Sequence, residues 1–292
     1  MNAVRLWIKA VRPYAYSASL VPVAIGGLHA RATGAEFSGL RFGAALAAGV
    51  LLHTAANLWN DYYDFKHGVD RLGGGIGSGV LVHGEMTPAR CFRGASICAA
   101  LAALLGLWLA TQVGWGLAAL GAAGLFGAVA YAAGPLSPKH RALGEVWLFL
   151  LMGVGLTLGG HVAQTGRFSW SAIAAGIPAG LLMTLLLYAN NLRDVPSDRE
   201  AGLRTLPMLF KPLEAKFVAG LFAFVPYALT ALMALTRRLP TATLLAELSL
   251  PLALRWFGGI WKRPVAERDV VGAAQLHLAF GLLFVVGLAI GR

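Results

Sequence analysis

The chain has 292 residues, 58% of them hydrophobic and only 13% charged, with a mean hydropathy of +0.67. That composition excludes an ordinary soluble domain and places the chain among polytopic membrane proteins. The formal net charge of +11 calls for no nucleic acid, because its source is the uneven distribution of lysine and arginine around the apolar segments.

Residues 1–12 carry Arg5, Lys9 and Arg12 ahead of an apolar run. No small-residue cleavage site ends a short apolar region there, and more spans follow, so a removable signal peptide is not expected. Charge-free stretches of bilayer-spanning length then come at 13–30, 42–60, 146–166, 168–192, 217–236 and 270–291. The run 94–138 has room for two spans with a turn at 112–116. A span needs roughly 20 apolar residues, which makes eight segments. Residues 239–254 are a ninth candidate, weakened by Pro240, Glu247 and Pro251. The expected fold is all-α: about nine transmembrane helices in one integral domain over 1–292, with no soluble domain in either long loop. Cys91 and Cys98 read as small apolar packing residues.

With nine spans, 18 of the 24 basic residues fall on one side and 6 on the other. The positive-inside rule then puts the N-terminus in the cytoplasm and the C-terminus outside, in the cell inner membrane. Attraction to anionic lipid is a secondary consequence of the same charge.

Two acidic, asparagine-bearing clusters close the second and sixth spans. The first holds Asn57, Asn60, Asp61 and Asp64, with Asp70 beyond; the second holds Asn190, Asn191, Asp194 and Asp198, with Arg193 and Glu200. Six of the 13 acidic residues lie in these patches. The spacing i, i+3, i+4, i+7 puts the first set on one helix face, and the second set falls on a similar stripe. Pro196 is expected to kink that stripe or end its helix near Asp194. Two carboxylates roughly 6 Å apart at an effective dielectric of about 20 repel by about 3 kcal/mol, so four facing one cavity require cations or protons. Clustered carboxylates with few thiols suit a hard cation such as Mg2+, which commonly holds a phosphorylated substrate. The bland alternative is helix-end charges solvated separately in the water layer. A transporter also tolerates intramembrane acids, but it places them near mid-membrane.

The run Asn60-Asp61-Tyr62-Tyr63-Asp64 with Asp70, paired with Asn191-Leu192-Arg193-Asp194-Val195-Pro196-Ser197-Asp198-Arg199-Glu200-Ala201-Gly202, resembles the UbiA superfamily of intramembrane prenyltransferases. The resemblance covers essentially the whole chain. It implies a nine-helix bundle around a central cavity and Mg2+-dependent transfer of a prenyl group from a polyprenyl diphosphate to an acceptor, usually an aromatic ring. Asp70 placed after Gly68, and Thr205-Leu206 after the second motif, are most similar to the 1,4-dihydroxy-2-naphthoate polyprenyltransferases of menaquinone biosynthesis. The same fold also serves hydroxybenzoate, homogentisate, glyceryl phosphate and sugar phosphate acceptors.

The resemblance assigns Asp61, Asp64, Asp194 and Asp198 as catalytic metal ligands, with Asp70 as a further one. Asn57, Asn60, Asn190 and Asn191 become neutral ligands or their hydrogen-bond partners. Lys139 resembles a diphosphate-binding lysine, against the alternative of a loop charge that sets topology. Arg193 and Arg71 stand ready for phosphate or for neighbouring acids. Tyr131, with Tyr62, Tyr63, Trp147 and Tyr188, belongs either to the interfacial aromatic belt or to a cavity wall that shields an allylic cation. The glycine run 73–79 reads as a lid. No protein partner is inferred.

Overall fold

A computed structural model describes residues 2–69, 77–133, 137–200 and 202–291. Asp70, Arg71 and most of the 73–79 glycine run lie outside the described residues. The charge-free stretches are helical, as they must be where only intra-segment hydrogen bonds can satisfy the backbone. Among the described residues the only bridge-type pairing joins Arg141 and Arg204.

In chain order the helices are α1 (Ala3–Val11), α2 (Ser17–Ala32), α3 (Gly39–Lys66), α4 (Pro88–Val113), α5 (Gly116–Ala132), α6 (Gly144–Leu148), α7 (Leu156–Thr165), α8 (Trp170–Glu200), α9 (Pro212–Leu235), α10 (Leu250–Lys262) and α11 (Glu267–Ile290). Among the described residues, six helical segments are long and apolar enough to cross a membrane: α3, α4, the continuous 144–165 segment, α8, α9 and α11. With α2, the shorter α5 and a composite 241–262 segment, each expected span has a helical counterpart.

The composite segment departs from expectation. Residues Thr241–Ser249 form a 3-10 helix, and the α-helix begins only at Leu250 and runs on to Lys262. Pro251 explains the break. In a continuous α-helix its ring would meet the carbonyl of Glu247, whereas in the first turn its missing N–H costs nothing.

Pro196 does not end α8, which continues through both Pro178 and Pro196 to Glu200. Proline removes one bond, to Leu192 O, but the flanking residues keep the helix. The stripe Asn190–Asp198 therefore survives on one face.

The segment 144–165 is α-helical at both ends and π-helical over Phe149–Gly155. Such wide turns inside α-helices are frequent at functional sites, and this one lines the cavity described below.

Helix α1, absent from the expected spans, is capped by Asn2, whose side chain accepts from Val4 N at 3.0 Å. It ends at Arg12 in the left-handed region (φ 55°, ψ 61°). A non-glycine residue held there costs on the order of 1–3 kcal/mol, and such residues cluster at functional sites.

Close helix approach rests on small residues, as is usual in lipid. A Cβ on Gly153 would stand 2.8 Å from Gly180 Cα, and one on Gly180 would stand 3.0 Å from Gly153 Cα. Gly26 and Gly160 do the same for α2 against α7, each facing the other helix's backbone carbonyl. Tyr188, Phe280 and Phe284 fill the interior between α8, α9 and α11. Cys91 and Cys98 are free, with Cys91 buried, as their apolar reading requires.

Candidate active site

The helices enclose a cavity of about 1350 Å³. Its upper walls are alanine, glycine and leucine from α3, α4, α5 and the 144–165 segment. Its mouth is polar and holds Arg12, Asn57, Asn60, Asp64, Tyr131, Lys139, Asn190, Asn191, Arg193, Asp194 and Asp198. The two sequence clusters therefore meet at one opening. The helical period delivers Asn57, Asn60 and Asp64 to it from the last turns of α3, and Asn190, Asp194 and Asp198 from those of α8.

Both described acids of the first cluster, Asp61 and Asp64, are matched by cations from elsewhere. Asp61 and Asp64 are both 2% exposed. Arg12 Nη2 makes an ion pair with Asp61 Oδ1 and donates to Asn57 O at 3.4 Å. Ser78, at the described end of the glycine run, donates to Asp61 through its hydroxyl and its backbone N–H, the latter at 3.4 Å. Lys139 Nζ pairs with Asp64 Oδ2 and lies 3.1 Å from Asn60 Oδ1. Asn60 Nδ2 donates to the same Asp64 oxygen at 2.9 Å.

In the second cluster, Arg193 bonds Asp194 through Nε at 2.7 Å and Nη2 at 2.6 Å. Its other contacts are Asn190 Oδ1 at 2.9 Å and an ion pair with Glu267 of α11. Asn191 Nδ2 donates to the buried Glu145 Oε1 at 2.8 Å. Loop closure beneath is helped by Ala142 N, which donates to Arg204 O at 2.8 Å.

Sequence reasoning expected Lys139, Arg193, Tyr131 and both acid sets at one opening; the structure brings them there except Asp61, which is buried in its pair with Arg12, and Asp70, which lies outside the described residues. It left Arg12 among the topology charges and did not single out Ser78, Glu145 or Glu267 as site residues. The signal for Arg12 was its place before Pro13, a junction where a helix must end. Glu145 and Glu267 carried the faint signal of being acids beside apolar spans in an acid-poor chain.

The donor set fits a hard cation that is shared with a phosphorylated ligand. Asp64 Oδ1 is buried without a hydrogen-bond partner, and the Asp198 carboxylate faces the cavity with no hydrogen bond or ion pair among the described residues. No three acidic, histidine or cysteine side chains among the described residues stand close enough to hold a metal alone. Oxygens of a bound diphosphate would complete the coordination. All four carboxylates belong to the ends of α3 and α8, which places them at one end of the bundle and away from the mid-membrane position a carrier needs.

Comparison with known proteins gives the family. The model of the UbiA prenyltransferase family matches residues 19–281. The chain is 29% identical over 289 residues to 1,4-dihydroxy-2-naphthoate octaprenyltransferase of Bacillus subtilis (strain 168), covering 98% of this chain and 92% of that protein. It is 31% identical over 292 residues to UbiA prenyltransferase domain-containing protein 1 of Danio rerio, covering 97% and 83%. Its fold matches a UbiA homolog from Archaeoglobus fulgidus, solved bound to DMAPP and Mg2+, with a TM-score of 0.67 at 16% identity over 96% of this chain and 99% of that one. The chain belongs to the UbiA prenyltransferase family and is an integral membrane prenyltransferase.

Proposed function

We propose that the protein transfers a polyprenyl group from a polyprenyl diphosphate to 1,4-dihydroxy-2-naphthoate, with loss of the acceptor's carboxylate. The observation that carries this reading is the pairing of a polar, doubly charged mouth with an apolar cavity above it. A diphosphate needs the first and an isoprenoid chain the second. The naphthoate acceptor is favoured by the late Asp70, the Thr205-Leu206 continuation, and the likeness to the Bacillus subtilis enzyme.

Asp61, Asp64, Asp194 and Asp198 would hold Mg2+, with the neighbouring asparagines as neutral donors and Asp70 as a further ligand. Bound there, the metal supplies positive charge that stabilises the leaving diphosphate. Arg12, Lys139 and Arg193 hold the acids when no diphosphate is present. On substrate binding they turn to phosphate oxygens, and Arg71 joins them. These fixed cations oppose the charge that builds on the leaving group as the allylic C–O bond breaks. The small side chains above leave a channel for the prenyl tail, and their apolar surface excludes water from the allylic cation. Tyr131 at the rim offers its ring face to that cation. The 18-to-6 basic asymmetry supports a cytoplasmic mouth and N-terminus, with an external C-terminus.

The test is to incubate membranes containing the protein with labelled polyprenyl diphosphates and a panel of acceptors. Transfer to 1,4-dihydroxy-2-naphthoate above hydroxybenzoate, homogentisate, glyceryl phosphate and sugar phosphates is the expected result. Preference for another acceptor would overturn the naphthoate assignment and leave the diphosphate chemistry standing.

A further inference from the structure

Half-way along α3, where lipid surrounds the bundle, His53 opens onto the cavity. It is 7% exposed. An ionisable side chain at that depth is costly unless it works. His53 shares the face of Asn57 and Asp61, four and eight residues on. That separation sets it about 12 Å along the helix axis from the acid cluster, on the hydrocarbon side of the mouth. His53, Asn57, Asn60 and Asp64 line one cavity, so an acceptor ring seated in that interval is within reach of both the imidazole and the allylic cation.

The hydrogen bonds around the ring accommodate the tautomer a base needs. The Ser19 hydroxyl donates its single proton to Tyr16 O at 3.1 Å. With the proton so placed, its oxygen, 3.2 Å from His53 Nδ1, accepts from Nδ1–H, the assignment on which the base role rests. Nε2 keeps its lone pair and has no hydrogen-bond partner among the described residues. The Tyr16 ring packs edge-on against the imidazole, centroids 5.7 Å apart, and its hydroxyl bonds Thr54 Oγ1 at 2.7 Å. These contacts hold the ring in place. An imidazole held through one nitrogen, with the other bare, in a residue that lines a substrate cavity is the arrangement of a general base.

We propose that His53 is a catalytic residue that accepts the acceptor's ring-hydroxyl proton at Nε2, with Ser19 as its positioning residue. The proposal rests on the aromatic-acceptor reading above. The O–H bond breaks and its proton moves to Nε2, leaving an electron-rich naphtholate. The ring carbon bearing the carboxylate forms a C–C bond to the allylic carbon. The allylic C–O bond breaks, and its electron pair leaves on the diphosphate. Carbon dioxide then departs, its bonding pair returns to the ring, and Nε2 hands its proton back to the ring oxygen. Protons and electrons balance without an added oxidant or reductant.

The experiment compares wild type, His53→Ala, His53→Gln and Ser19→Ala in two assays. One is single-turnover transfer to the aromatic acceptor; the other is Mg2+-dependent binding of a non-hydrolysable polyprenyl diphosphate analogue. Both His53 variants should lose transfer by about 10²-fold or more while binding the analogue within about twofold of wild type. Ser19→Ala should show a smaller loss of transfer and no loss of binding. Transfer near the wild-type rate in His53→Gln, or loss of analogue binding in parallel with transfer in both His53 variants, would overturn the proposal. A wild type that binds the analogue but prenylates no aromatic acceptor would instead refute the parent reading, and this inference with it.

Discussion

Lys139, on the 3-10 turn Pro138–His140, forms an ion pair with Asp64 of α3, whose side chain is 3% exposed. The lysine side chain is only partly buried. One charge is therefore fixed in the protein while its partner can reach into the cavity. A buried carboxylate that loses its cation is strongly destabilised, so the ammonium can leave Asp64 only as another cation arrives. In this arrangement the empty and loaded sites differ by an exchange of partners, and the carboxylate is neutralised in both.

The first prediction follows from that exchange. Lys139→Ala should raise the KM for polyprenyl diphosphate about tenfold to a hundredfold, the worth of one charge-assisted hydrogen bond, and leave the acceptor's KM unchanged. The same variant should melt at a lower temperature without ligand and recover when Mg2+ and diphosphate are added, because the added cation takes over the compensation of Asp64. An unchanged diphosphate KM would return Lys139 to a topology charge.

Arg193 separates two kinds of ion pair. Its two hydrogen bonds to Asp194 use the planar fork of guanidinium, which lysine cannot reproduce. Its pair with Glu267 involves a carboxylate whose side chain is 73% exposed, where ion pairs contribute little. Arg193→Lys should lower kcat by at least about tenfold, as expected when a second bond to a site acid is lost. Glu267→Gln should keep kcat within about twofold. Steady-state kinetics on the two variants decides; equal losses would mean that the Glu267 pair matters to turnover as much as the Asp194 fork.

The Gly153–Gly180 contact predicts a stability effect independent of the chemistry. Gly180→Ala adds a methyl 3.0 Å from Gly153 Cα, with backbone as the neighbour that must move. The change should destabilise the protein by about 1–3 kcal/mol, read as a lowered melting temperature in detergent. An unchanged melting temperature would show that the two helices separate freely.

Orientation is tested by reporter fusions at residue 292. The 18-to-6 basic asymmetry predicts activity only from a reporter that works outside the cytoplasm. Activity from a cytoplasmic reporter would reverse the topology or remove one span.

The helices were legible because lipid imposes one solution on long apolar stretches. The acid clusters were legible because thirteen acids in 292 residues make any grouping conspicuous. Their counter-ions were harder to see. Arg12 and Asp61 are 49 positions apart, and Lys139 and Asp64 are 75 apart. No local pattern ties such pairs, and each basic residue already had a sufficient explanation in topology. Pro196 misled because its local rule is sound, yet a single lost hydrogen bond is outweighed by the packing of a 31-residue helix. Pro251 did break its segment, because there the break also moved it into a first turn where proline fits.

The central claim is that the clusters on α3 and α8 form one diphosphate site. The measurement is kcat for Asp61→Asn, Asp194→Asn and the double variant, with Mg2+ titrated back after chelation. Each single variant should lose at least about 10²-fold in kcat, as removal of one transition-state charge contact does. The double variant should be little worse than either, because residues acting as a unit are not lost twice. Wild-type activity should vanish in chelator and return with Mg2+. Multiplicative losses in the double variant, or full activity in chelator, would contradict a shared site.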